Sequence, residues 1–322
     1  MKKFTRPIAV LFLFLWLLPI NADASRLLIP VGRLIGLQLE DNTVTVSSFD
    51  PVLGAEAKNA GLKTGDRIVS VDNKPLTCAR DIREALDRCN GKANVSVLRN
   101  GKQKQLQLTP QITKDGPRLG VYLKEGTTGV GTVTFYDPQS GKFGALGHGV
   151  NDSGGSLLQM VSGTAYEATV LSVKKGKIGV PGQLMGALDG SAPLGELSKN
   201  TVQGIFGTID AHWKGQVLPV AETEQIHTGS AVIRSTIADD TIREYSVEIL
   251  KIYANSKSDG RNMLLRITDP ALLEATGGIV QGMSGSPIIQ DGKLVGAVTH
   301  VLVNDPTTGY GIFIENMLDA AA

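Results

Sequence analysis

Cysteine, histidine and aromatic side chains are all scarce in this chain: 322 residues carry two cysteines, four histidines and 5% aromatics. Two cysteines cannot build a disulfide framework. Nor do four dispersed histidines offer the spacing of a metal site, so no metal and no cofactor are expected. Net charge is only +1 and the basic residues are scattered, which leaves no electrostatic footprint for nucleic acid. So low an aromatic fraction also speaks against a base-stacking platform.

What is present is glycine, 38 residues of it, and a hydrophobic fraction of 42%, enough to bury a sizeable core in about two domains. Residues 1–24 read differently from the remainder. Lys2, Lys3 and Arg6 precede an apolar run, IAVLFLFLWLLPI, that ends in the small-x-small sequence Ala22-Asp23-Ala24, the pattern of an export signal. The run falls short of the roughly 20 residues that a bilayer-spanning helix needs, which favours cleavage over a retained anchor. Farther on, Thr77 is a plausible N-cap for a helix with Ile82, Ala85, Leu86 and Cys89 at helical spacing. Along that helix Cys78 and Cys89 stand about 16 Å apart, too far to bond to each other.

The hexapeptide Gly282-Met283-Ser284-Gly285-Ser286-Pro287 precedes the apolar hairpin pattern IIQDGKLVGAVTHV. Glycines here allow a tight bend that aims the amides of Gly282 and Ser284 at one point, where they could stabilise the oxyanion of a tetrahedral intermediate. A plain Gly/Ser/Pro loop is the bland alternative. Serine needs a base, and His148 has the setting for one: in FGALGHGV an apolar strand runs into glycines that leave room beside the imidazole. His212 and His227 sit in polar surroundings and read as solvent-exposed. His300, sixteen residues after Ser284, is either a packed strand-end histidine or, with Thr299, part of the substrate pocket.

Between residues 26 and 110, AGLKTGDRIVSVDNKPL followed by a helix and a hairpin at Asn100-Gly101 resembles a bacterial PDZ domain. Such domains add an extended peptide beside a sheet edge and hold its terminus in a glycine-containing loop. The loop is expected at Ile35-Gly36-Leu37-Gln38-Leu39, with Gly36 and Leu37 binding peptide and Ile82 and Leu86 facing the groove. From residue 114 to 322 glycine punctuates many short β-rich runs, which suggests a mainly β fold, a PDZ domain followed by a chymotrypsin-like double β-barrel.

The segment DPQSGKFGALGHG, together with the stretch from TDPALLEATGG through GMSGSP to NML, is similar to the stage IV sporulation protein B (SpoIVB) peptidase family. That resemblance implies a serine endopeptidase with Ser284 as nucleophile, His148 as base and Asp269 as the acid, Asp210 and Asp152 being the rival aspartates. It further implies export into the space between forespore and mother cell, self-cleavage, and membrane-associated protein targets whose cleavage activates a mother-cell sigma factor. Peptide C-termini or internal segments are the expected PDZ ligands. An envelope quality-control protease and a silent PDZ scaffold are the alternatives; domain order disfavours the first, and the presence of both Ser284 and His148 disfavours the second.

Overall fold

The computed structural model describes residues 26–152, 155–210, 213–254 and 260–322; the expected export segment and His212 lie outside them. The chain opens with β1 (Leu27–Pro30), β2 (Leu34–Phe49), α1 (Ala55–Asn59), β3 (Arg67–Val71) and β4 (Lys74–Pro75). Next come α2 (Ala79–Asp87), β5 (Ala93–Arg99), β6 (Lys102–Leu108) and the small pair β7 (Gln111–Thr113) and β8 (Gly116–Arg118). Helix α2 begins where it does because the Asp81 carboxylate accepts from Thr77 N, Thr77 Oγ1 and Cys78 N, satisfying donors that the first turn leaves open. Its Ile82, Ala85 and Leu86 are buried. Cys78 and Cys89 flank the helix as free thiols. At the β5–β6 turn, Asn100 and Gly101 both have positive φ, 50° and 71°, which suits the two-residue type I′ turn.

Six further strands follow: β9 (Val121–Tyr136), β10 (Lys142–Ala145), β11 (Met160–Lys174), β12 (Gln183–Thr201), β13 (Gly204–Ile209) and the short β14 (Leu218–Pro219). Antiparallel pairing runs β9-β10-β13-β12-β11-β2, and β2 pairs back onto β9. This closes a first barrel. Its interior holds Ile35, Leu37, Leu39, Val133, Phe143, Ala145 and Ile205. The second barrel is built from β15 (Gly229–Thr236), β16 (Ile242–Ile252), β17 (Met263–Ile267), β18 (Pro287–Gln290), β19 (Lys293–Leu302) and β20 (Asp305–Phe313). It closes in the order β15-β16-β17-β20-β19-β18 around Ile233, Val247, Met263, Leu265, Ile288 and Val298. Helix α3 (Pro270–Thr276) leads to the nucleophile turn, and α4 (Ile314–Ala321) packs Ile314 and Met317 beside Phe206 and Leu294. The fold is thus mainly β, a PDZ domain and a double β-barrel.

The two domains share strands. Residues 34–39 of β2 pair with Gly163–Glu167 of β11 and with Thr127–Thr132 of β9 inside the first barrel, whereas Val44–Phe49 pair with Val121–Glu125 in the PDZ sheet. Strands β2 and β9 therefore cross from one domain into the other as a single ribbon. Gly126 stands at the crossing with φ +67°, and a Cβ there would lie 1.9 Å from the Leu39 carbonyl oxygen, so only glycine fits. Beyond the crossing, the PDZ core gathers Val44, Val46, Ile68, Ile82, Leu86, Val95 and Val97.

One ion pair closes that core at its rim. Arg99 reaches both oxygens of the buried Asp66 at 2.6 Å, and Asp66 also accepts from Lys63 N. Burial pushes the Asp66 carboxyl up, but the Arg99 hydrogen bonds, the Lys63 amide and the Arg99 charge outweigh it and hold the carboxyl below its ordinary value. A depressed carboxyl contributes stability that is complete above the unfolded value, about pH 4, and lost as pH falls through the native value. Asp66→Asn should therefore cost about 3 kcal/mol in urea unfolding at neutral pH. The deficit relative to wild type should shrink in the same measurement below about pH 4.

Candidate active site

The nucleophile turn lies where the two barrels meet, and backbone geometry explains its shape. Gly282 and Gly285 have φ of +99° and +95°, conformations open to glycine at little cost. A Cβ on Gly285 would lie 2.0 Å from the Thr132 carbonyl oxygen and 2.5 Å from Leu146 N. The first barrel grips the turn from that side. Thr132 N donates to the Ser284 carbonyl at 3.0 Å, Thr132 Oγ1 to that of Gly282 at 2.7 Å, and Thr134 Oγ1 to that of Gly285 at 2.8 Å. From the second barrel, Gly285 N donates to Val298 and Ser286 Oγ to Ser235 Oγ. Among the described residues, the amides of Gly282 and Ser284 have no protein acceptor. Two half-buried donors two residues apart are thus left to bind an oxygen from outside.

His148 arrives from the first barrel at the end of β10. The preceding residues, Leu146 and Gly147, both have positive φ, 69° and 68°, and a leucine in that region is held by its surroundings at some cost. Its Nδ1 lies 2.9 Å from the Gly149 carbonyl oxygen. A carbonyl can only accept, so Nδ1 carries the hydrogen and Nε2 is left with a lone pair. Burial holds the His148 pKa below its ordinary value, against a smaller opposing pull from the Gly149 carbonyl. The imidazole is neutral at neutral pH, as a proton acceptor must be.

Ser284 and His148 line one cleft of about 390 Å³ between the barrels, together with Gly282, Thr299 and His300 and the apolar side chains of Leu37, Val130, Ile279 and Val280. Ser284 Oγ donates to the Thr299 carbonyl at 2.7 Å. The His148 and His300 rings stand 5.3 Å apart at 40°. Residues expected to form nucleophile, base, oxyanion hole and pocket are all in this cleft. Asp269 is not. Its carboxylate accepts from Leu272 N at 3.0 Å and Ser246 N at 3.4 Å, capping α3 with Pro270 as the next residue. Asp152 faces Arg67 at 3.4 Å and takes Ser156 N within its own loop. Among the described residues that line the cleft there is neither rival aspartate nor any other carboxylate. His227 is exposed and pairs with Asp291 at 2.8 Å.

The PDZ domain carries a second cleft, of about 360 Å³, between α2 and the stretch Pro117–Leu123. Ile82 and Leu86 line it as expected. Gly36 and Leu37 do not: they are buried in β2, paired with Tyr166 and Ala165 of β11, so the expected binding loop is a barrel strand. Leu119 and Val121, on either side of Gly120, line the cleft instead. Gly120 has φ +71° and accepts from Asp50 N, and Val121–Leu123 form the edge of the PDZ sheet, facing α2. Arg80, Arg83 and Arg118 ring the cleft. These residues escaped the sequence reading because RLGVYL looks like the first strand of the following domain.

A PDZ-bearing serine peptidase is the class that this fold and cleft define. The family model described as SpoIVB peptidase S55 matches residues 115–318, and a PDZ domain model matches residues 34–109. The chain belongs to the SpoIVB peptidase family. Among curated proteins it is similar to a probable periplasmic serine endoprotease DegP-like of Pseudomonas fluorescens, 31% identical over 37% of this chain and 24% of that one. A putative zinc metalloprotease of Brucella suis is 33% identical over 31% of this chain and 28% of that protein. The chain thus spans under a third of either relative. No two of its four histidines, at 148, 212, 227 and 300, stand four apart as a helical zinc motif requires. Of solved structures, the Rv3671c protease from M. tuberculosis aligns at 15% identity over 61% of this chain and 73% of that one, TM-score 0.36. The HtrA-type protease AlgW with decapeptide aligns at 11% over 65% and 57%, also with TM-score 0.36.

Two outcomes follow from this geometry. With His148 held neutral by burial, kcat/KM for a short peptide should rise with pH along an acid limb below the ordinary 6.5 and stay level through neutrality. Gly285→Ala should lower the rate of labelling by a fluorophosphonate by about 10²-fold or more, the scale of losing one oxyanion donor, because the added methyl drives the turn off Thr132.

Proposed function

We propose that this chain is an exported serine endopeptidase that selects protein targets through its PDZ groove and cuts a regulatory protein during endospore formation. The observation that carries the chemical part is the meeting of Ser284, His148 and two unused amides in one cleft. Ser284 Oγ attacks the scissile carbonyl carbon, its proton passes to His148 Nε2, and the carbonyl oxygen takes the displaced electron pair under the amides of Gly282 and Ser284. The imidazolium then gives the proton to the leaving amine. Family membership supports the biological part: export into the space between forespore and mother cell, self-cleavage, membrane-associated targets and activation of a mother-cell sigma factor. Recognition falls to Val121–Leu123, where a peptide C-terminus or internal segment adds as a strand, with acidic residues favoured by Arg80, Arg83 and Arg118. The likeness to the DegP-like endoprotease favours envelope quality control as a second reading.

Purified protein incubated with a fluorophosphonate tests the chemistry: wild type is labelled and Ser284→Ala is not. For the groove, Leu86→Asp should lower cleavage of a folded protein target at least tenfold and leave a short peptide within about twofold, because the groove contributes binding and no chemistry. Removing residues 26–110 is unsuited to this purpose, since it also takes the barrel half of β2. Cleavage at one site in a sporulation regulator fits the first reading; indiscriminate degradation of unfolded protein fits the second.

A further inference from the structure

The connection between β11 and β12 ends in a tight turn, Lys177–Val180, whose tip is apolar and whose base is basic. Ile178 is 79% exposed, Val180 48% and the neighbouring Val303 45%, while Lys174, Lys175 and Lys177 are exposed beside them. We propose that this turn docks the enzyme on an anionic phospholipid surface, the apolar tip entering the headgroup boundary and the lysines meeting lipid phosphates, so that the rim of the active-site cleft lies at the membrane. Docking does not depend on the catalytic assignment.

The turn exposes side chains while its backbone is satisfied. Lys177 N and Val180 N donate to each other's carbonyls, Gly179 N donates to Val303 and Gly176 N to Thr276, each at 2.8 or 2.9 Å. Gly179 has φ +78°, which closes the turn and leaves Ile178 at its tip. With these four amides paired inside the protein, entry into a lipid boundary costs them no hydrogen bond. The same pairing withholds them from a peptide strand. Among the described residues, none of the three lysines has an ion-pair partner. Of the acids on the segments that touch the turn, Asp305 is tied to Thr307 and Thr308 and Glu274 is exposed, so the tip carries net positive charge. A second copy of the chain is a poor occupant, since a two-fold contact would set one lysine cluster against the other. Anionic lipid complements both features, and each lysine near such a surface strengthens binding about fivefold. The turn also stands on the cleft's rim: Gln281 N donates to the Gly182 carbonyl at 3.0 Å and Leu184 N to that of Gln281 at 2.8 Å, and Gln281 lines the cleft beside Gly282.

The test uses the full chain with Ser284→Ala to keep it intact, Cys78→Ser and Cys89→Ser to leave a single thiol, and Ile178→Cys carrying an environment-sensitive fluorophore. Ile112→Cys, exposed on the β7–β8 hairpin, carries the same label as the control. Circular dichroism checks folding, and alanine replaces serine at 78 and 89 if serine disturbs it. On vesicles of equal phosphatidylglycerol and phosphatidylcholine, the label at 178 should shift to the blue and brighten, and the label at 112 should not change. Phosphatidylcholine alone, or about 1 M salt, should abolish the response. Lys174→Gln, Lys175→Gln and Lys177→Gln together should raise the lipid concentration needed by about 10²-fold. In the active enzyme the same triple change should leave kcat/KM on a short soluble peptide within about twofold, since none of the three lysines lines the cleft. The proposal is overturned by no response at 178 on anionic vesicles, by an equal response at 112 or on phosphatidylcholine alone, or by an undiminished response in the lysine variant. It is overturned equally by a response that needs no vesicles and grows with protein concentration, which marks a contact between copies, or that needs a soluble polypeptide instead, which marks peptide docking.

Discussion

The hydrogen bonds from Thr132 to the nucleophile turn are the joint on which the active site depends. Ser284 belongs to the second barrel and His148 to the first, so no covalent geometry sets the distance between them. Thr132 N and Oγ1, with Thr134 Oγ1, clamp three successive stations of the turn, the carbonyls of Gly282, Ser284 and Gly285. Leu146 N, two residues before the base, donates to the Thr132 carbonyl. One residue thus touches the neighbourhoods of Ser284, Gly282 and His148, and Gly285 is needed because the contact leaves no room for a side chain.

The chemistry of the cleft is governed by how little charge it contains. Among the described residues, its walls are apolar apart from the serine, two threonines, a glutamine, two glycines and the two imidazoles. An apolar wall keeps His148 neutral and ready to accept, but it also penalises the cation that acceptance creates. The Gly149 carbonyl, on Nδ1, opposes that penalty in part.

How far the sequence could be read depended on whether a signal was local. Ser284 and His148 were legible because glycines crowd both and the chemistry of each is written within a few residues. Ile82 and Leu86 were legible through helical spacing, and the Asn100-Gly101 turn through its dipeptide. Gly36 and Leu37 were misplaced because LIGLQL alternates equally well as a groove strand or a barrel strand, and only long-range pairing with Ala165 and Gly129 decides. Asp269 was the acid that the family resemblance implied. Its immediate context carried a different message, for Asp-Pro before ALLEAT and Gly277 is the signature of a capped helix from start to finish.

Strand β9 runs from the PDZ groove to the active site with one bend, at Gly126, and its length bounds the distance between them. Leu123 faces the groove and Thr132 touches the nucleophile turn; the nine intervening steps cover at most about 30 Å at strand rise. A target held beside Val121–Leu123 has to bridge that span before its own chain can lie across Ser284, which takes about nine extended residues. The backbone of β9 thus caps the span that a peptide added at this edge would have to bridge to reach Ser284.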